Sequence, residues 1–180
     1  MPEFQRVSAL TGLAKPGRFG ADKGAPGVTL SLRHPLSIVT VIARKGKSKT
    51  LDEALAKQRD IDVRWAGPDQ YFAISEGALY ADLKKKLGDL ASLSDQSHGR
   101  IVIRIEGPKA RAVLAKGTPI DLHAGEFPVG NSALTQMAHV GVHVTRVGED
   151  AFELSLFRGF AESFWEWLTL MSEEFGYQIT

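Results

Sequence analysis

An α+β fold, built from two successive βαββα units behind an extended N-terminal arm, follows from three features of the 180-residue sequence. The composition, 43% apolar and 24% charged, is that of a globular chain long enough to bury a sizeable core. Segments with period-two and period-3.6 apolar spacing alternate in the same order twice. The repetition also shows in letters. Gly67-Pro68-Asp69-Gln70-Tyr71-Phe72-Ala73-Ile74-Ser75 is echoed by Gly148-Glu149-Asp150-Ala151-Phe152-Glu153-Leu154-Ser155, and Leu55-Ala56-Lys57 by Leu114-Ala115-Lys116. The offset between echoes grows from 59 to 81 residues, which places an insertion of about 22 residues around Thr118 to Val140. Such an insertion is either a binding loop or a plain surface excursion.

Residues 1–27 hold five glycines and three prolines without periodicity, so they read as an arm outside the core, either a disordered tail or a segment that orders on a partner subunit. Residues 28–180 read as a single domain with half-repeats at about 36–94 and 95–180. Val28 to Leu32 alternates with period two, and Leu36 to Ala43 is a β-branched run, so both predict strands. Thr50 and Glu53 form a Thr-x-x-Glu capping box for a helix whose apolar face is Leu51, Ala54 and Leu55. Ile61 to Ala66 and Tyr71 to Ile74 predict a hairpin about Gly67-Pro68-Asp69, followed by a helix from about Ala78 to Leu87. In the second half, Ile101 to Ile105 predicts a strand, and a helix lies between Gly107-Pro108 and Gly117, with proline at its start and glycine past its end. Met137 to Val147 and Ala151 to Phe157 predict two more strands. The last helix, about Phe160 to Phe175, presents Phe160, Phe164, Trp167, Leu168, Met171 and Phe175 as its apolar stripe, with Trp165 on the flank.

Composition removes several function classes. The absence of cysteine excludes disulfides, thiolate nucleophiles and cysteine metal ligands, leaving five histidines and the carboxylates. The net charge of +1 conceals a gradient: +7 over residues 1–50, −2 over 51–150 and −4 over 151–180. The basic front is interleaved with glycine and proline and is poor in aromatics, so it does not predict a nucleic-acid surface. No apolar run approaches a bilayer span and the first residues have no apolar signal core, which predicts a cytoplasmic protein with no membrane contact.

His139 and His143 have the i, i+4 spacing of a helical metal pair, but they fall in a predicted strand, where four residues span about 13 Å and cannot chelate one ion. Asp95, Ser97 and His98 are chain neighbours, and triads assemble by geometry, not adjacency. Gly20, Gly24 and Gly27 follow no strand and open no helix, so neither dinucleotide nor phosphate-loop chemistry is indicated. No catalytic, cofactor-binding or metal residue is assigned. The basic residues Lys15, Arg18, Lys23 and Arg33, with Trp165 as an aromatic anchor, are the candidate partner interface.

Asp95-Gln96-Ser97-His98-Gly99-Arg100, then Gly107-Pro108-Lys109-Ala110-Arg111-Ala112-Val113-Leu114-Ala115-Lys116-Gly117, then Pro119-Ile120-Asp121-Leu122-His123 resemble the gamma subunit of heterotetrameric sarcosine oxidase. Phe157-Arg158-Gly159-Phe160-Ala161-Glu162-Ser163-Phe164-Trp165-Glu166-Trp167-Leu168 resembles that family's terminal helix. The resemblance spans about Leu36 to Gly176. It implies a fold similar to the folate-binding aminomethyltransferases and a place in a complex that demethylates sarcosine oxidatively. The products are glycine, hydrogen peroxide and 5,10-methylenetetrahydrofolate. It implies alpha, beta and delta partner subunits, and FAD, FMN, NAD, zinc and tetrahydrofolate held by those other chains.

The sequence departs from the aminomethyltransferase pattern. No Asp or Glu lies between Glu126 and Glu149, where those enzymes place a strand carboxylate, and no counterpart of their third, barrel-like domain is expected. The leading expectation is a non-catalytic subunit with a structural and assembly role. The alternative is a free-standing folate-binding protein, in which Arg100 and Arg158 of a vestigial pocket would hold a glutamate tail.

Overall fold

The computed structural model describes residues 6–21 and 24–180. In chain order the elements are β1 Gly17–Phe19, β2 Val28–Leu32, β3 Ser37–Ala43, α1 Ser48–Ala56, β4 Asp62–Gly67, β5 Gln70–Ser75, α2 Tyr80–Leu87, β6 Ala91–Asp95, β7 Arg100–Glu106, α3 Ala110–Ala115, β8 Ser132–Met137, β9 Val140–Gly148, β10 Ala151–Phe157, α4 Ala161–Ser172 and β11 Tyr177–Ile179. The mixed α+β class is as the periodicity predicts. The strands form two sheets, a seven-stranded one ordered β1-β11-β2-β7-β10-β9-β8 and a four-stranded one ordered β4-β5-β3-β6.

Strand alternation gives each sheet two unlike faces. On one face of the large sheet Ile101, Ile103 and Ile105 of β7, Val142 and Val144 of β9, and Phe152, Leu154 and Leu156 of β10 pack under Val113 and Leu114 of α3 and Phe164 and Leu168 of α4. The small sheet buries Val39, Val41 and Ala73 under Leu51 and Leu55 of α1 and Leu83 and Leu87 of α2. The two remaining faces meet each other. Their apolar content is small, with Leu36, Ile38, Ala66, Phe72, Ile74 and Val102 forming a third cluster. The positions that alternate with the apolar ones are polar here: Arg100 and Arg104 on β7, Glu153 and Ser155 on β10, His143 and Thr145 on β9.

Several expectations are corrected. The first 27 residues are not wholly outside the core, because Leu10 is fully buried in the large cluster and β1 pairs antiparallel with β11, Gly17 opposite Ile179. Neither contact has a local pattern, and the β1 pairing is made by the far end of the chain. The helix α1 starts at Ser48 with no side-chain cap, its Lys47 N–H bonding the Arg44 carbonyl instead, so Thr50 lies inside the first turn. The single strand expected over Met137 to Val147 is a hairpin end. Ala138 and His139 both take positive φ (51° and 65°) in the two-residue turn between β8 and β9, a geometry usually marked by Asn-Gly. The inserted segment thus contributes β8, the last strand of the large sheet, which packs beside β4 of the other sheet. β6 and β11 are strands that periodicity did not show.

α4 is also rotated from the expected stripe. Ala161, Phe164, Trp165, Leu168 and Ser172 are buried, while Phe160 is half exposed. Trp167 lies over Gly117, where an added Cβ would come within 2.3 Å of the indole ring, and Ser172 can be buried because its hydroxyl donates to the Leu168 carbonyl at 2.7 Å.

Candidate functional site

The polar seam between the sheets is the candidate site, and its two ends differ. Towards β2, Glu153 of β10 is 1% exposed. Its Oε1 accepts from Arg33 Nη1 at 2.8 Å and its Oε2 from Arg64 Nη2 at 2.6 Å, with Arg104 Nη1 4.0 Å away. Arg64 comes from β4, so this pair ties the small sheet to the large one. It also donates to Asp62 Oδ2 through Nε and Nη2, at 2.8 and 2.5 Å. Burial works against the Arg64 charge, but hydrogen bonds and the fields of Asp62 and Glu153 outweigh it and raise its pKa above the ordinary arginine value. Arg33 also reaches Glu76 at 3.1 Å near the end of the small sheet.

Towards β8 the seam opens into a cleft of about 390 Å³ lined by Arg100, Leu134, Gln136, Gly141, His143 and Phe157, among others. The Arg100 guanidinium is stacked between two phenylalanines, 4.6 Å from the Phe72 ring centre and 4.3 Å from that of Phe157. Its Nε is buried without a hydrogen-bond partner, and burial alone lowers its pKa. His143 meets Phe72 edge-on at 5.0 Å. Its Nε2 lies 2.8 Å from the Trp65 carbonyl, which can only accept, so Nε2 carries the proton and the buried Nδ1 lone pair has no partner. Burial, with the nearby Arg64 and Arg100 charges, pushes the His143 pKa down to about 4, against the Trp65 bond and Asp62. The imidazole is neutral at pH 7.

The structure scatters the residues expected at a partner interface. Lys15 and Arg18 are exposed, and Arg18 lies on β1 at the edge of the large sheet. Lys23 lies outside the described residues. Arg33 belongs to the seam, paired with Glu153, and is not a free docking charge. Trp165 is corrected outright: it is 4% exposed and part of this chain's own core, because seating Trp167 over Gly117 turns Trp165 inward. The two arginines expected to share a pocket are kept apart. Arg158 is exposed and its Nη1 donates to the Val7 carbonyl at 2.9 Å, whereas Arg100 lines the cleft.

Ser97 Oγ, 2.5 Å from Asp95 Oδ1, accepts from the Ile38 N–H at 3.0 Å. The Ser97 hydroxyl lowers the Asp95 pKa, and these bonds shape the β6–β7 turn, leaving His98 exposed. His139 sits exposed in the β8–β9 turn, apart from buried His143. The pair the sequence reading passed over is Arg64 with Glu153. The available signal was charge inside predicted strands, Glu153 alone in its strand and Arg64 with Asp62 in the other.

Among known proteins, the model of the sarcosine oxidase, gamma subunit family matches residues 37–174, which include Arg64, Arg100, His143 and Glu153 of the seam. The chain belongs to that family. The gamma subunit of sarcosine oxidase from Corynebacterium sp. strain U-96 is 35% identical over 116 residues, 63% of this chain and 57% of that relative. The gamma subunit from Arthrobacter sp. is 32% identical over 133 residues, 72% of this chain and 66% of that relative. The matched stretch therefore spans less than two thirds of these family members' own length. Among solved structures, heterotetrameric sarcosine oxidase from Corynebacterium sp. U-96, in complex with pyrrole 2-carboxylate, superposes with a TM-score of 0.80 at 27% identity, over 94% of this chain and 96% of that one. The glycine cleavage system aminomethyltransferase T from Bartonella henselae shares the fold, with a TM-score of 0.59 at 18% identity over 80% of this chain and 46% of that one.

Proposed function

We propose that this chain serves as the gamma subunit of a heterotetrameric sarcosine oxidase in the cytoplasm, joined to alpha, beta and delta subunits. The complex converts sarcosine, tetrahydrofolate and O2 to glycine, 5,10-methylenetetrahydrofolate and hydrogen peroxide. FAD, FMN, NAD, zinc and folate are held by the partner chains, and this chain's role is assembly. The observation that carries the reading is the continuous family match over residues 37–174. A non-catalytic role accords with the seam chemistry, in which the carboxylate of Glu153 is buried against two arginines and His143 is neutral and hydrogen-bonded.

We further read the chain as a twice-used unit. In support, β4-β5-β3 and β9-β10-β7 are neighbours in the same order in the two sheets, with a helix after the first strand and after the hairpin of each half.

Co-expression with the alpha, beta and delta chains from the same source, followed by purification through a tag on this chain, tests the function. The expected product is a yellow complex that releases hydrogen peroxide when given sarcosine. Elution of this chain alone and colourless would overturn the reading. Micromolar binding of tetrahydrofolate to the isolated chain would then favour a free-standing folate-binding protein.

A further inference from the structure

The large sheet's inner face lies open where the β8–β9 hairpin, the start of β7 and the end of β10 come together. There the cleft is rimmed by Leu134 at 50% exposure and Phe157 at 49%, with Gly141 exposed on the floor. An exposed apolar patch that carries an arginine stacked on phenylalanine has the composition enriched at protein interfaces. Arg100 makes no ion pair among the described residues, although it is partly buried between two aromatic rings. A cation so placed calls for a carboxylate from outside the chain.

Three occupants compete. A small ligand would be expected to bury most of its own surface, and this cleft is too open for that. A second copy docked across a two-fold axis would bring the same patch, and Arg100 with it, against itself. A different chain, carrying a carboxylate set among apolar side chains, satisfies both the charge and the rim. We propose that this open end of the seam is the docking face for a partner subunit of the oxidase, which places a carboxylate beside Arg100 and apolar side chains against Leu134 and Phe157. The inference rests on the gamma-subunit reading.

The natural chain contains no cysteine, so a single introduced one reports on its surroundings without background from this chain. Leu134→Cys and, as a reference elsewhere on the surface, Leu170→Cys at a 58% exposed position, are alkylated with iodoacetamide in the isolated chain and in the co-expressed complex. Labelling is read by mass spectrometry of this chain. Assembly is expected to slow alkylation of Leu134→Cys at least tenfold and to leave Leu170→Cys unchanged.

A second variant, Gly141→Trp, fills the cleft. Gly141 has no positive φ, and a Cβ there meets nothing within 4 Å, so the isolated variant is expected to keep the parent's circular dichroism while assembling at least tenfold more weakly. Arg100→Gln is expected to weaken assembly and Arg100→Lys to restore part of it. Equal alkylation rates for Leu134→Cys in the free and assembled chain, or undiminished assembly of Gly141→Trp, would overturn the proposal while leaving the gamma-subunit reading intact. Failure of the unsubstituted chain to assemble would remove both. Protection of Leu134→Cys in the isolated chain by micromolar benzoate would assign the cleft to a small carboxylate instead and overturn docking.

Discussion

At one end of the seam a buried carboxylate is saturated by arginines from its own chain, with Arg64 Nη1 alone of that pair's polar atoms left without a partner; at the other, a stacked arginine with no ion pair among the described residues and a neutral histidine keep polar atoms without partners. Both ends are built from the same two sheets and the same alternation of strand faces. What differs is closure. Arg64, on the small sheet, reaches Glu153 on the large one, so the closed end is a contact that joins the two sheets. At the other end β9 leaves Gly141 exposed and Arg100 of β7 lines an open cleft between two phenylalanines, so that end contributes surface more than stability. A polar seam can therefore hold a fold together over part of its length and remain available for recognition over the rest.

The largest effect expected from breaking this contrast is at Glu153. Glu153→Ala leaves the buried Arg64 guanidinium with Asp62 as its remaining carboxylate partner and removes the tie between the sheets, and unfolding in urea should report a loss of about 3 kcal/mol. The double substitution Glu153→Leu with Arg64→Met removes both charges and should recover most of that loss, because well-packed apolar replacements of a buried ion pair are often neutral. Recovery shown by the double variant and absent from the single one would assign the cost to the buried Arg64 charge left with too few partners.

His143 supplies the next test. Its folded pKa of about 4 lies below the ordinary histidine value of 6.5, so between these pH values the unfolded chain binds the extra proton. Stability should therefore be unaffected above pH 7 and fall as pH drops from 6.5 toward 4, by at most about 3 kcal/mol from this group. His143→Gln, which keeps a donor for the Trp65 carbonyl, should flatten that part of the stability profile. The smallest effect is expected at the open end. Leu134→Ser should change the urea midpoint of the isolated chain by less than the equivalent of about 0.5 kcal/mol, since the residue is half exposed. A large destabilisation there would erase the distinction between the two ends.

Much of the architecture was legible in the sequence because it rests on local periodicity. Ile101 to Ile105 alternates toward α3 and α4 just as a half-buried strand should, and Gly117 ends a helix that Pro108 introduces. The misses share a cause. β1 and β11 are three residues each and acquire strand geometry only from pairing across the length of the chain. The β8–β9 turn takes positive φ at Ala138 and His139, residues that carry no turn signature. The rotation of α4 was hidden because a helical projection finds the apolar stripe but not the space each side chain will meet. Only the empty space over Gly117 distinguishes Trp167 from Trp165.

For the candidate site the sequence supplied Arg100 but attached it to Arg158, which holds the Val7 carbonyl instead. It marked Arg33 as a docking charge, whereas the structure pairs it with Glu153.

The sequence alone determined the α+β class, the order of most elements, the cysteine-free chemistry and the family resemblance, since these depend on residues near one another in the chain. Tertiary structure decided which polar residues meet across the seam, which tryptophan is core and where the cleft opens. Those outcomes depend on how two sheets stack, and a strand's own residues specify only that its faces differ, not what each face will touch.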